Sequence, residues 1–240
     1  MAAQDKTDQM SAEKTQKIAD LRFTEKLNDF LQKNRQSIFI VLIAIVAAIA
    51  ALVIGLTVNE KQKASAFTKV DAFNERYVEL YPYIAGGEGD AASKQEEVIS
   101  LLDEINAFAA KSSGFAAARS YSLSAEIYKR QENWPVAEKT WVLAAKAAAN
   151  SYIAPISYYN AATAAEEQGN NRGAIDLYKQ ALGYEQFPNA ARAQFNIGRL
   201  EESENNRDAA LEAYRNLLAK WPKDELWANL AQSRILVLTN

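Results

Sequence analysis

The amino-acid sequence predicts an all-α protein, with one N-terminal transmembrane helix followed by a solenoid of helical hairpins and a capping helix. A run of 19 residues at 38–56 contains only Ile, Val, Leu, Ala, Phe and Gly. After this run, Ala, Leu, Glu, Lys and Gln dominate, and apolar residues recur every three or four positions, which is typical of α-helices. Small and aromatic residues also recur there at a long, nearly constant interval, which predicts repeated hairpins.

Composition excludes several classes of site before any motif is considered. The 240 residues carry a net charge of −3 and include neither cysteine nor histidine, and the pI is 5.3. A disulfide, a thiol nucleophile, a Ser-His-Asp triad and a Cys/His zinc site are therefore impossible. The charge balance argues against a nucleic-acid partner, which would need clustered Lys and Arg.

Residues 1–35 form a charged tail with seven Lys or Arg and six Asp or Glu. Apolar residues toward its end have roughly helical spacing and predict a short amphipathic helix; they are Ile18, Leu21, Leu27, Phe30 and Leu31. Because the acids dilute the basic surface, we expect a tail with a frayed helix beside the membrane rather than a dedicated lipid-binding element.

Residues 36–59 are predicted to be a transmembrane helix that contacts the lipid bilayer. The segment is uncharged, and about 20 apolar residues suffice to cross a bilayer. A signal peptide fits poorly, because its apolar run is about 7–15 residues long. Within twenty residues, five cations precede the span and four follow it. Charge alone therefore hardly orients the chain, and the long C-terminal domain favours a cytoplasmic N-terminus.

Residues 60–115 are predicted to form a degenerate lead-in hairpin, joined by the glycine-rich segment 86–90. Apolar residues at helical spacing mark its two helices: Phe67, Val70, Phe73, Tyr77 and Leu80 on the first, and Val98, Leu101, Leu102, Ile105 and Phe108 on the second. The glycine-rich segment lacks the alternating oxygen ligands of a calcium loop.

Residues 116–240 contain one spacing three times, with shifts of 37 and 36 residues. A small residue is followed after twelve positions by another, after four more by an aromatic, and after three more by a small or aliphatic residue. The three sets are Ala125, Ala137, Trp141 and Ala144; Ala162, Ala174, Tyr178 and Ala181; and Gly198, Ala210, Tyr214 and Leu217. Small side chains let antiparallel helices cross closely, so each set predicts a helical hairpin.

This spacing resembles the tetratricopeptide repeat (TPR), whose opening helix carries a W-x2-L-G-x2-Y pattern. The matching residues are Tyr121, Ala125 and Tyr128; Tyr158, Ala161, Ala162 and Gly169; and Ile197, Gly198 and Pro222. Trp227, Leu230 and Ala231 repeat the opening pattern without a second helix, which predicts a capping helix. The third copy departs from the pattern, with Gln194 and Glu201 where aromatics are expected.

The whole layout resembles the membrane-anchored periplasmic TPR family typified by the ancillary subunit of the bacterial Sec translocon. The resemblance implies a single-pass protein of the bacterial inner membrane with a periplasmic C-terminal domain. It also implies that the Sec translocon or periplasmic chaperones are partners. Scaffolds for cell division or outer-membrane assembly fit the same residues and are the alternative.

In TPR arrays the opening helices line a concave face, which by register carries charges interleaved with aromatics. The predicted protein-binding residues are Arg119, Glu126, Lys129, Tyr159, Asn160, Arg192, Phe195 and Arg199. Arg and Tyr are common interface anchors, so this face is predicted to bind an extended peptide or a partner helix. An ordinary solvated surface is the alternative. The carboxylate clamp of related cytosolic proteins is excluded, because Ser122 and Glu126 stand where Lys and Asn are needed.

No catalytic site is expected. The sequence has no P-loop and no G-x-S-x-G motif. Adjacent acids such as Glu166 and Glu167 point about 100° apart on a helix and do not converge on a substrate. We therefore expect a scaffold that requires no cofactor and no metal, with a membrane-bound hydrolase as the least favoured alternative.

Overall fold

The computed structural model describes residues 22–86 and 90–240, so most of the charged tail and the centre of the glycine-rich segment lie outside the described residues. Over those two ranges the chain is all-α, as predicted, with ten α-helices, one 3-10 helix and no strand. It divides into two compact units, residues 1–62 and 63–240.

The N-terminal unit contains helix α1, residues 22–33, and the first part of helix α2, Arg35–Leu80. The apolar part of α2 is long and apolar enough to cross a membrane, with a mean hydropathy of 3.3 and no buried residues in its best window. No helix end marks the predicted limit of the span at residue 59. The reason is that residues 56–80 contain neither Gly nor Pro, and the helix ends only before Pro82.

The C-terminal unit begins with residues 63–80 of α2, the 3-10 helix Tyr81–Tyr83 and helix α3, Asp90–Lys111. Apolar residues from both helices form one buried cluster with Ile127 of the next helix. Phe73 packs edge-on against Phe108, with ring centroids 5.6 Å apart. A hydrogen-bonded ion pair of 2.8 Å joins Arg76 to Glu104 beside that cluster. The two helices therefore pack as a hairpin.

Three further hairpins and a last helix complete this unit. Their helices are α4 (Gly114–Arg130) with α5 (Trp134–Ala147), α6 (Ile153–Glu167) with α7 (Asn171–Leu182), α8 (Ala190–Ser203) with α9 (Arg207–Lys220), and α10 (Glu225–Thr239). From α3 onward each helix contacts the next one along the chain, and opening helices also meet, α4 with α6 and α8 with α10. Residues 234–238 belong to α10 and are helical.

The turns inside the three hairpins repeat the sequence register in their backbone geometry. Glu132, Gly169 and Asn205, spaced 37 and 36 residues apart, have φ angles of 58°, 73° and 61°. In each turn the following asparagine donates its backbone N–H to the carbonyl five residues earlier, at 2.8–2.9 Å. This is the left-handed helix ending that favours Gly and tolerates Asn. The repeat is therefore present in the backbone as well as in side-chain spacing.

Gln194 and Glu201, which stand at aromatic positions of the pattern in the third repeat, are buried and hydrogen-bonded. The Gln194 side-chain amide donates to the carbonyl of Ala213 at 3.1 Å, which links α8 to α9. The Glu201 carboxylate accepts a 2.8 Å hydrogen bond from Asn206. Because both side chains have partners, the departures from the aromatic pattern do not leave uncompensated buried groups.

The exposed surface of the last helix, α10, mixes polar side chains, which a capping helix needs, with apolar ones. Ala228 and Ala231 pack on α9 in a cluster with Tyr214 and Leu217. Apolar side chains elsewhere on the helix remain exposed, namely Leu226, Leu230, Leu236 and Val237. The helix thus closes the core on one side and leaves apolar surface on another.

Candidate protein-binding face

Among the described residues, ion pairs between Arg and acidic residues join three of the four successive steps between opening helices, and at the fourth step α4 contacts α6 directly. The pairs are Arg119 with Asp71, Arg199 with Glu166, and Arg234 with Glu202. Each pair bridges from one opening helix to the one before it, so the helices share a continuous surface. We call this surface, which carries the eight predicted residues, the opening-helix face.

The Glu166 carboxylate is the centre of a polar cluster on this face. It accepts a 2.6 Å hydrogen bond from the hydroxyl of Tyr178 and is ion-paired with Arg199. Asn196 donates to the same hydroxyl at 3.0 Å. Burial and the neighbouring carboxylate raise the pKa of Tyr178. Tyr178 is therefore a neutral donor that ties the second helix of its hairpin to the opening-helix face.

A related arrangement lies 36 residues further along the chain, but there the tyrosine hydroxyl, that of Tyr214, has no hydrogen-bond partner of good geometry among the described residues. The Arg234 Nε donates to Glu202 at 3.1 Å, and Arg234 holds the pKa of the Glu202 carboxyl below its usual value. Burial is the main cause that raises the pKa of the Tyr214 hydroxyl, and the nearby Glu202 carboxylate is the second cause. In the first repeat the corresponding residues are Lys129 and Trp141. A cation replaces the acceptor there, so the first repeat lacks this cluster.

Arg192 differs from Arg119 and Arg199, the other two predicted arginines of the opening-helix face, because it forms no ion pair among the described residues. Its guanidinium carbon lies 5.7 Å from the centroid of the Tyr159 ring and 5.8 Å from that of the Trp227 ring. Both distances are within the range of about 6 Å for cation–π attraction. Arg192 is exposed, so its charged fork is oriented by two aromatic rings and remains available to a ligand.

Phe195 extends this aromatic surface toward the C-terminus. Its ring centroid lies 5.4 Å from that of Tyr214 and 5.3 Å from that of Trp227. Trp227 therefore contacts both Arg192 and Phe195. The sequence pattern predicted Trp227 only as the start of the capping helix and missed its place on the face. Its fixed opening position, one repeat after α8, was the available signal.

Tyr159 lies mostly inside the core, with 6% of its surface exposed. Its ring packs on Tyr178 at 5.2 Å and on Phe187 at 5.9 Å. Burial raises the pKa of its hydroxyl, which has no hydrogen-bond partner of good geometry. Tyr159 thus contacts Arg192 from the core side, through its buried ring. Asn160 follows it, half-buried, and its side-chain amide makes no hydrogen bond to the described chain.

The remaining predicted residues on α4 are engaged in local pairs. Lys129 lies 3.4 Å from Glu126, one turn apart on the same helix. Arg119 lies 3.1 Å from Asp71. Exposed pairs of this kind contribute about 0–1 kcal/mol, so a partner can displace them at little cost. Of the four predicted cations, Arg192 is thus the one that has no acidic partner within residues 22–86 and 90–240.

A pocket of about 300 Å³ opens near α4 that the sequence did not reveal. Its walls come from α2, α4, α5 and α6 and include Ser122, Trp141, Tyr152 and Ser157. Three of these residues carry a buried polar atom without a partner: the Ser122 Oγ, the Trp141 Nε1 and the Ser157 Oγ. The sequence identifies Trp141 only as the aromatic residue of the first repeat spacing. In the second repeat the acid Glu166 accepts from the residue that corresponds to Trp141, and the first repeat has Lys129 in place of that acid. This difference was the signal in the sequence that the Trp141 N–H would be unpaired.

Comparison with known proteins agrees with the TPR resemblance. Residues 159–232 match the family model of the tetratricopeptide repeat. A TPR repeat-containing protein of Treponema pallidum (strain Nichols) is 29% identical over 224 residues, which cover 89% of this chain and 93% of that protein. The crystal structure of BtubC (BKLC) from P. vanneervenii is 24% identical, covers 67% of this chain and 72% of that chain, and has a TM-score of 0.43. The matched family segment includes five of the eight predicted residues.

Proposed function

We propose that this chain is a membrane-anchored scaffold without catalytic activity, which binds protein partners through the opening-helix face. TPR domains generally bind proteins, and the family match covers the half of the face that contains Arg192. The observation that carries the proposal is the unpaired Arg192 held between Tyr159 and Trp227. An arginine ordered in advance loses little side-chain entropy on binding, and its planar fork can donate two hydrogen bonds to a carboxylate.

The proposed location is the bacterial inner membrane, with residues 36–59 crossing it and the C-terminal unit in the periplasm. The apolar, fully exposed part of α2 supports a span, and the layout of anchor and repeats supports a role with the Sec translocon or periplasmic chaperones. A scaffold for cell division or outer-membrane assembly would use the same face. The identity of the bound proteins distinguishes these roles.

Site-specific photo-crosslinking in the full-length chain tests the binding face. A photoreactive amino acid is placed at Asn160 or Arg199 of the opening-helix face, which leaves Arg192 intact, and in matched controls at Lys179 or Arg215, which are exposed on second helices. We expect discrete protein adducts from the first two positions and none from the controls. Equal adducts from all four positions would show that the opening-helix face is not the binding surface.

A loss-of-contact variant separates binding from folding. Arg192→Ala should weaken capture of the crosslinked partner by about tenfold or more, since a central interface anchor is often worth about 2 kcal/mol. Arg215→Ala should leave capture unchanged, and both variants should keep wild-type helicity. Unchanged capture by Arg192→Ala would remove the residue on which the proposal depends.

Sidedness has its own test, because the chain lacks native cysteine. Ser233 is exposed on α10 and can be replaced by cysteine as a unique label site. A membrane-impermeant thiol reagent should label it in cells whose outer membrane has been made permeable. Labelling only after complete lysis would contradict the periplasmic location.

A further inference from the structure

Helix α1 has an apolar face that the described part of the chain leaves uncovered. Its apolar residues are Phe23, Leu27, Phe30 and Leu31, with exposures of 68%, 44%, 59% and 45%. At about 100° per residue, these four side chains fall within a sector about 100° wide. A helix with such a sector normally packs it against an apolar phase.

Four of the five charged residues of α1 are segregated around that sector, and the fifth, Arg22, lies about 130° from its centre. Lys26 and Lys33 lie about 90–110° from its centre, whereas Glu25 and Asp29 lie within about 30° of the opposite pole. Cations beside an apolar face can extend to lipid phosphates while their aliphatic stems remain in the boundary layer. Acids at the far pole then face water. The acids that dilute the overall charge of the tail therefore do not occupy the flank that carries the two lysines.

The junction between α1 and α2 is a single turn residue, and helical hydrogen bonding continues through it, with the Ile38 N–H donating to the Asn34 carbonyl at 2.9 Å. A change of direction there requires the backbone bond from Asn34 to Phe30 to open. Asn34 is the one turn residue between the helices, and its backbone N–H and its side-chain amide both donate to the Phe30 carbonyl, at 3.0 and 2.9 Å. If the hydrogen bond from the Asn34 backbone N–H opens, the Asn34 side-chain amide still donates to the Phe30 carbonyl. The apolar run starts at residue 38, five residues after the end of α1, which corresponds to a helical rise of about 7.5 Å.

We propose that α1 lies in the plane of an anionic membrane surface, with its apolar face at the boundary of the acyl chains. The inference rests on the proposal that α2 crosses the bilayer, and it adds a second membrane contact. A second copy of α1 is the less suitable occupant, because the apolar sector is wider than the two-position seam of a coiled coil. Lipid also matches the lysines on the flank of the sector.

Spin labels on single cysteines test this placement in the full-length chain. The protein is reconstituted into vesicles of phosphatidylcholine and phosphatidylglycerol, with one nitroxide at position 27, 30, 25, 29 or 47. Labels at Leu27→Cys and Phe30→Cys should collide more often with oxygen than with a water-soluble nickel complex. Labels at Glu25→Cys and Asp29→Cys should show the reverse order, and Ala47→Cys should report the bilayer interior.

The outcomes separate this inference from the proposed span. A lipid signal at position 47 with aqueous signals at 27 and 30 overturns only the placement of α1. An aqueous signal at position 47 overturns the span and the placement together. Spin–spin broadening at 27 and 30 would identify a second copy as the occupant and also overturn the proposal. Replacing Lys26 and Lys33 by Gln should make the labels shallower in the anionic vesicles and not in pure phosphatidylcholine.

Discussion

Replacing Gly198 with alanine should destabilise the third repeat, although alanine favours helices. A Cβ atom at this position would lie 2.5 Å from Cε1, 2.7 Å from Cζ and 2.8 Å from Cδ1 of Tyr214. The Tyr214 ring is completely buried and packs on Phe195, and its hydroxyl is next to Glu202. The ring therefore cannot rotate away, and the two helices must separate to admit one methyl group.

The expected magnitude is the difference between two opposing contributions. Overpacking a core costs about 1–3 kcal/mol, and three ring atoms inside contact distance argue for the upper half of that range. The gain in helix propensity from Gly to Ala is about 1 kcal/mol. A net loss of about 1–2 kcal/mol remains, which lowers the melting temperature of a unit of this size by about 2–8 °C.

Thermal unfolding of a soluble fragment of residues 63–240, followed by far-UV circular dichroism, measures this loss. The matched control introduces Gly198→Ala into a Tyr214→Leu background, where the ring has been removed. There the alanine should be neutral or should raise the melting temperature. A stable Gly198→Ala single variant, or an equal loss in both backgrounds, would show that the close approach of α8 to Tyr214 does not determine the packing.

Three further predictions concern the anchor, a turn and an ion pair. Alkaline carbonate washing of membranes should leave the full-length chain in the pellet, because residues 36–59 are predicted to cross the bilayer; recovery in the supernatant would contradict this. Gly169→Ala should cost about 1 kcal/mol in urea unfolding, because its φ of 73° is unfavourable for a side chain while the space around it is open; an unchanged midpoint would argue against the left-handed turn. Arg234 depresses the pKa of Glu202, so this carboxylate stabilises the fold above its ordinary pKa of 4.5, and the stabilisation is lost as the pH falls through the lower folded value. Glu202→Gln should therefore flatten the acid-side fall in stability, and an unaltered pH profile would show that the pair contributes nothing.

The predicted face shows how far sequence register can identify a binding site. Register identified α4, α6, α8 and α10 as opening helices, and Arg192, Arg199 and Phe195 are at least partly accessible. Tyr159 came from the same register but is buried. Adjacent helix positions differ by about 100°, so a residue at the border between core and face can fall on either side. Packing with Phe187, from the loop before α8, settles the position of Tyr159.

Tertiary packing also brought together groups that no local pattern relates. The ring of Trp227 reaches Arg192 from 35 positions further along the chain, and the Trp141 pocket combines residues of four helices. The sequence also did not predict the left-handed turns at Glu132 and Asn205, because neither position holds Gly, the residue that most strongly indicates a positive φ.

The sequence by itself determined the helical class, the apolar run and the three-fold register. These properties follow from local periodicity and from the volume of side chains at fixed spacing. The tertiary structure decided which charged side chains form internal ion pairs and which remain available to a binding partner. That choice depends on the distance between helices adjacent in space, since Arg199 has Glu166 within reach and Arg192 has two aromatic rings instead. A cation without a nearby acid is therefore a property of the packed array rather than of any one helix.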